Sequence, residues 1–336
     1  MRNQIHTRSR RDFSTTRRPA KLGRRCYVRR VWRCVIVIAA AACTAHPSPT
    51  EPPSRLDYEG HRGARGLGPE NTLAAFERAI ALGVDTLEMD VMLTADDVLV
   101  VHHDEHLNPD ITRDGSGAWL EATGPAIRSL TFAALEQYDV GRIRPQTAYA
   151  ARFPEQEGGD GVRIPTLRQV IALAEQRSGG RIHYNIEIKT TPSRPADTAP
   201  PAHVADVLVS VVRELGVARR TTIQSFDWRG LRRVGAIAPE LPRSCLTEAP
   251  IGDAAWTDGM AMTAYGGSVP KLVAAFGCQI WSPDYAALTE HHVREAHGLG
   301  LRVLPWTVDT PAAIAHVIAL GVDGLITDFP DRLPAR

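Results

Sequence analysis

Two short segments carry charge in a pattern that only a strand can use. In Leu87-Glu88-Met89-Asp90-Val91 the acids are two residues apart, so on a strand both point to one face while Leu87, Met89 and Val91 point to the other. Asn185-Ile186-Glu187-Ile188-Lys189 repeats the device with Glu187 and Lys189. Three carboxylates and one ammonium would then share one interior. Burying carboxylates unpaired is expensive, and one lysine cannot neutralise three. A divalent cation can, and hard oxygen donors favour Ca²⁺ or Mg²⁺ over zinc. The bland alternative is a structural ion network, with Glu88 pairing Arg62 and Glu187 pairing Lys189. A single strand of this kind favours that network. Two such strands beside an Arg and two histidines favour a metal site at Glu88, Asp90 and Glu187.

The histidines are His61, in Gly60-His61-Arg62-Gly63, and His103, in Val100-Val101-His102-His103-Asp104. Alone, either is more often structural than catalytic. Together they can flank a substrate and supply the general base and the general acid near neutral pH. Arg62 and Lys189 can hold an anion, Arg by a two-pronged grip on phosphate.

These residues need elements that bring them together. From Leu56 on, β-like runs alternate with helical patterns. Nine strands are expected: Asp57–His61, Thr86–Met92, Val98–His103, Arg181–Lys189, Thr221–Phe226, Arg243–Thr247, Gln279–Ser282, Arg302–Thr307 and Gly324–Thr327. Helices are expected over Thr72–Leu82, Thr166–Gln176, Val204–Leu215, Val269–Phe276, Thr289–His297 and Pro311–Leu320, from apolar residues at helical spacing. Alternation of this kind implies a parallel sheet, either open and doubly wound or closed as a (β/α)8 TIM barrel. No GxGxxG follows the first strand and no GxxxxGK[ST] occurs, so glycine-loop nucleotide binding loses support. The number of repeats suits the barrel, with the active site where the strands end. Thr94–Asp97 is too short for a crossover helix, so the second and third strands form a hairpin-like pair. Residues 104–165 are then an insertion after the third strand.

The blocks GHRG, PENT, LGVD, LEMDV and VVHHD, from Gly60 to Asp104, resemble the opening of the glycerophosphodiester phosphodiesterases. IPTL at Ile164, IEIK at Ile186, QSF at Gln224, PWTV at Pro305 and GLITDFP at Gly324 extend the resemblance over about residues 57–333. It implies a (β/α)8 barrel and hydrolysis of small glycerophosphodiesters to glycerol 3-phosphate and an alcohol. It implies metal ligands at Glu88, Asp90 and Glu187, catalytic histidines at His61 and His103, and phosphate contacts from Arg62 and Lys189. His103 rather than His102 matches, because it directly precedes Asp104. Gln224 and Trp306 fall where the family lines its substrate pocket. The chain departs from the family after HHD, where Leu107–Asp114 replaces a usual L-x-R-T-T run. That leaves the alcohol side of the pocket open, to be shaped by residues 104–165 and 248–267. Rival readings are a phospholipase C- or D-like enzyme on intact lipids and a non-catalytic envelope lipoprotein that only binds.

Charge divides the chain. The 336 residues hold 39 Lys+Arg and 38 Asp+Glu, a net of +1. Twelve of the bases and one acid lie in residues 1–50, which leaves 27 bases and 37 acids, a net of −10, for the rest. An acidic body argues against nucleic-acid binding. The basic stretch, the apolar run Val35–Ala42 and the small residues after it read as an export signal over residues 1–43, followed by a Pro/Ser-rich linker over 44–55 and the catalytic domain over 56–336. Ala40-Ala41-Ala42-Cys43 resembles a lipobox, which would make Cys43 a lipidated membrane anchor; ordinary cleavage nearby is the rival. Ser9–Phe13 resembles a twin-arginine signal, and a start near Val28 is a further option. The expected location is the periplasm or envelope. Cys245 and Cys278 form either one disulfide or two buried thiols.

Overall fold

The computed structural model describes residues 55–248, 251 and 253–335. The expected leader with Cys43, and all of the expected linker except Arg55, lie outside the described residues. Among the described residues no helix is long and apolar enough to cross a membrane.

Among the described residues nine strands form at the expected places: β1 (Asp57–Gly60), β2 (Thr86–Leu93), β3 (Leu99–Val101), β4 (His183–Ile188), β5 (Thr221–Ser225), β6 (Arg243–Thr247), β7 (Ile280–Pro283), β8 (Arg302–Val303) and β9 (Gly324–Thr327). Eight are parallel and run in the order β8-β7-β6-β5-β4-β2-β1-β9. The ring closes through backbone bonds, Asp323 N–H to Val303 O at 2.9 Å and Ile326 N–H to Pro305 O at 3.0 Å. β3 stands outside the ring, antiparallel to the end of β2, with Val91 opposite Val101. The sequence places β8 over Arg302–Thr307; the regular strand stops at Val303, because Pro305 has no N–H to give the ladder.

The helices on the outside are α1 (Leu73–Ala81), α2 (Phe132–Leu135), α3 (Ala148–Arg152), α4 (Leu167–Ser178), α5 (Pro201–Glu214), α6 (Trp228–Ile237), α7 (Val269–Phe276), α8 (Glu290–Gly298) and α9 (Pro311–Ala319). Ser, Thr or Asp caps nearly all of them. Thr72 accepts from Ala75 N–H, and Thr166 with Gln169 forms a reciprocal capping box on α4. α5 starts three residues before its apolar stripe, since Pro201 at the first turn needs no N–H partner. The periodicity reading omits α6. Two glycines interrupt its pattern, and its buried stripe is narrow: Trp228, Leu231 and Val234.

Side chains alternate along each barrel strand. Leu87, Met89 and Val91 of β2 and Ile186 and Ile188 of β4 join the apolar layer between barrel and helices, all fully buried. Residues 104–165 pack as an insertion over β2 and β3, where Leu107, Ile127, Leu135, Val140 and Ile164 share a small core with Met92 of β2 and Val100 of β3. Arg113 ties the insertion together, donating to Asp139 at 2.6 Å and Asp160 at 2.7 Å. Cys245 on β6 and Cys278 before β7 form a disulfide.

Candidate active site

At the C-terminal end of the barrel the strand alternation delivers its charged residues to one place. Glu88, Asp90 and Glu187 are buried, and one oxygen from each lies within 4.8 Å of the others. Glu88 is pushed well above the usual carboxylate range by burial and by Asp90. Glu187 is pushed up to about 7 by burial. Burial also opposes ionisation of Asp90, but Arg62, His103 and Lys189 outweigh it and hold Asp90 well below the usual range. The cations reach only the edge of the cluster. Lys189 Nζ is 3.0 Å from Glu187 and 3.8 Å from Asp90, and Arg62 Nε is 3.4 Å from Asp90. Three converging oxygens, two of them on carboxylates that resist ionisation, are what a divalent cation would relieve. The donor set fits a divalent metal site.

Arg62 does not pair with Glu88 through its guanidinium, as the alternative ion network required. Its backbone is left-handed, with φ 49°, followed by Gly63 at φ 86°. A side chain on Gly63 would meet the Ala75 backbone at 2.6 Å, so the turn demands glycine there. The turn aims the Arg62 backbone N–H at Glu88, 2.9 Å away, and sends the guanidinium elsewhere, to Glu70 at 2.7 Å. Glu70 also accepts from the Tyr149 hydroxyl of α3. Asn71 donates to Asp90 at 2.8 Å. PENT thus supplies Glu70 and Asn71, which orient Arg62 and Asp90; the sequence reading quoted the motif without giving either residue a role.

Each histidine is held by a carboxylate through Nδ1. His61 Nδ1 is 2.6 Å from Asp328, and His103 Nδ1 is 2.6 Å from Asp104. Arg65 grips the same Asp328 with two bonds of 2.7 Å, and Asn108 donates to Asp104 at 2.8 Å. Arg65 and His61, outweighing burial, keep Asp328 well below the usual range. An ionised carboxylate only accepts, so Nδ1 of His61 carries the proton and Nε2 is left as an acceptor, 3.9 Å from Glu88. Burial and Arg65 lower His61 to about 4. Burial, Arg62 and Lys189 lower His103 to about 4. His102 is buried beside the site and does not line it, whereas His103 does.

A cavity of about 320 Å³ joins these groups. His61, Arg62, Glu88, His103, Glu187, Lys189, Gln224 and Trp306 all line it, so eight of the nine candidates share one space and Asp90 lies just beneath. Gln224 donates to Glu88 at 2.7 Å and accepts from Asn185 at 3.0 Å. Trp306 donates its indole N–H to Ser282 O at 3.0 Å and meets Phe226 edge to face. Arg65, Tyr149 and Arg152 also line the cavity and were not picked out by sequence. Arg65 sits one turn past His61, a spacing that offered a signal; Tyr149 and Arg152 arrive from the insertion and offered none.

The model of the glycerophosphoryl diester phosphodiesterase family matches residues 61–332. A glycerophosphodiester phosphodiesterase of Caldanaerobacter subterraneus subsp. tengcongensis is 32% identical over 273 residues, covering 81% of this chain and 94% of that protein. A crystal structure from Silicibacter pomeroyi DSS-3 superposes with a TM-score of 0.76 at 39% identity, over 83% of this chain and 92% of that one. The structure of an Oleispira antarctica phosphodiesterase, solved with its product sn-glycerol-3-phosphate, shares the fold at a TM-score of 0.60 and 22% identity, over 82% and 95% of the two chains. With a family match that spans the barrel and both histidine segments, this chain belongs to the glycerophosphoryl diester phosphodiesterase family.

Proposed function

We propose that the protein hydrolyses glycerophosphodiesters to glycerol 3-phosphate and an alcohol, using His61 and His103 around a divalent cation held by Glu88, Asp90 and Glu187. The observation that carries this reading is the pair of His–carboxylate dyads opening into the same cavity as the three-carboxylate cluster. The cation, Ca²⁺ or Mg²⁺ by its oxygen donors, supplies Lewis-acid polarisation of the phosphoryl group when bound.

The chain's own residues do the rest. Arg62 and Lys189 bind the non-bridging phosphoryl oxygens and stabilise the charge that grows on them. His61 is the base. Its Nε2 takes the proton from the attacking oxygen, water or the neighbouring glycerol hydroxyl, as that oxygen bonds to phosphorus; attack by the hydroxyl gives a cyclic phosphate, which a water must then open to glycerol 3-phosphate. His103 is the acid. Its Nε2 gives a proton to the departing alkoxide as the second P–O bond breaks. The assignment follows from their neighbours. His103 is depressed by burial and then by Arg62 and Lys189, and a bound phosphodiester offsets those two charges, so substrate binding favours its protonation. His61 is depressed by burial and by Arg65, whose charge is already countered by its two bonds to Asp328, and that same Asp328 holds the proton on Nδ1 and leaves Nε2 free to accept. The nine named side chains are therefore one machine: three ligands, two proton carriers, two phosphate grips, and Gln224 and Trp306 as pocket wall.

We also propose export to the periplasm or envelope, with the leader as signal and Cys43 as a candidate lipid anchor. The Cys245–Cys278 disulfide supports an oxidising compartment. The test of function is hydrolysis of a panel of glycerophosphodiesters with EDTA, then with Ca²⁺ or Mg²⁺ restored. Activity that EDTA leaves untouched refutes the metal role. Release of headgroup from liposomes with no turnover of soluble diesters moves the activity to intact lipids.

A further inference from the structure

The barrel interior holds a buried acid that the chemistry above does not use. Glu59 lies on β1 two residues before His61, while Tyr58 beside it joins the apolar layer outside the barrel. Burial and Asp57 push the Glu59 carboxyl well above the usual carboxylate range. Arg302, the cation that works against this, is itself paired with Asp57 at 3.5 Å. An apolar side chain of similar length would occupy this place at lower cost. The reason for an acid lies in what it touches.

A line of hydrogen bonds runs from Glu59 to the three-carboxylate cluster. Asn185 on β4 donates its amide N–H groups to Glu59 Oε2 at 2.7 Å and to Gln224 Oε1 at 3.0 Å. Gln224 on β5 donates in turn to Glu88 Oε1 at 2.7 Å. All four side chains are buried. Strand register sets the line, with Glu88 opposite Asn185 and Glu187 opposite Gln224.

The line has a direction. A carboxylate that ligates a cation only accepts, so Gln224 must turn its N–H groups to Glu88 and its oxygen to Asn185. Asn185 must then turn its N–H groups the same way, which leaves its Oδ1 buried with no partner among the described residues. An unpaired buried carbonyl is costly. Turning this amide over would set Oδ1 against Gln224 Oε1, two acceptors face to face, and release Gln224. The acceptor that opposes the turn is Glu59 Oε2. A carboxyl oxygen accepts whether the group is charged or neutral, so this part does not depend on its proton.

We propose that Glu59 and Asn185 are positioning residues for the divalent-cation site: Glu59 fixes the direction of the Asn185 amide, Asn185 fixes that of Gln224, and Gln224 thereby holds Glu88 in place as a ligand. The inference rests on the reading of Glu88, Asp90 and Glu187 as ligands.

The test is calorimetric titration of the full chain with Ca²⁺ and with Mg²⁺, beside the Tm of the cation-free protein. Asn185→Leu should weaken cation binding by about 10-fold, and Glu59→Met by about 5-fold, the lower end of what partners outside the ligand set contribute. Glu59→Gln supplies an amide oxygen in the same place and should stay within about 2-fold of wild type. Glu59→Met should leave the cation-free Tm unchanged or raise it, because a buried acid gives way to an apolar chain of similar length. A merely structural Glu59 predicts the reverse, a lower Tm with unaltered affinity, and that result overturns the proposal. So does a Glu59→Gln variant that binds as weakly as Glu59→Met. If the wild type binds neither cation, the ligand reading falls and the proposal with it. If it binds one but turns over no diester, the phosphodiesterase reading fails alone and the titrations still decide the positioning role.

Discussion

Asp328 Oδ1 lies 2.6 Å from Nδ1 of His61, across 267 residues of chain. The contact exists because β9 pairs with β1 and stops one residue before Asp328, with Gly60 opposite Thr327 and His61 N–H bonded to Thr327 O at 2.9 Å. It fixes which ring nitrogen faces the cavity. Arg65, bound to both oxygens of Asp328, fixes the carboxylate in turn.

Asp328→Asn keeps the shape and removes the charge that selects the tautomer. An amide can donate to Nδ1 and leave Nε2 protonated, which is the wrong form for a base. Activity on glycerophosphodiesters should fall by about 100-fold or more, mainly in kcat, equivalent to roughly 2.7 kcal/mol or more of transition-state stabilisation. A loss under about 5-fold would show that His61 does not depend on this anchor.

Replacing either histidine separates chemistry from metal binding. His61→Ala and His103→Ala should each bring turnover near background, while the cation still raises Tm, since neither is a proposed ligand. Glu187→Gln should weaken that cation-induced rise. Differential scanning fluorimetry with and without Ca²⁺ or Mg²⁺, alongside the activity assay, checks both halves.

Asp309 makes a pH-dependent contribution of known sign. Burial and nearby Asp328 raise it from 3.8 to about 6, although it accepts from Asp328 N–H at 2.8 Å. A raised carboxylate favours folding fully below its unfolded value, and that contribution is lost as pH climbs through about 6. Asp309→Asn removes the penalty of the charged form. Its Tm relative to wild type should therefore rise between pH 4 and pH 7, by about 2–5 °C given the size of the chain and partial exposure of the group. A flat difference across that window would reject the assignment.

The disulfide closes a loop with 33 residues of separation. Protein recovered from an oxidising compartment should show neither thiol of this pair to a thiol reagent under denaturing conditions without reductant. Replacing both cysteines with Ala should cost about 3–4 kcal/mol by the loop-entropy scale. Two titratable thiols at these positions would remove the support that the bond lends to export.

Much of the site was readable because period two is a local rule. Glu88, Asp90, Glu187 and Lys189 could be assigned to one face from neighbours one and two residues away, and the structure gathers them at the barrel's end. His103 was separated from His102 by the resemblance, since it directly precedes Asp104, and only His103 lines the cavity. The partner of Arg62 was not readable. It depends on a left-handed turn that spends the backbone N–H, not the guanidinium, on Glu88.

By itself the sequence determined the strand–helix alternation and the face on which each acid lies, since both depend on residues close in the chain. Ring closure decided the remainder. Only when β9 lies against β1 does Asp328 reach His61, and only when the insertion folds over β2 does Tyr149 reach Glu70. Contacts of that kind are set by how hydrogen-bonded strands close a ring, which no local spacing encodes.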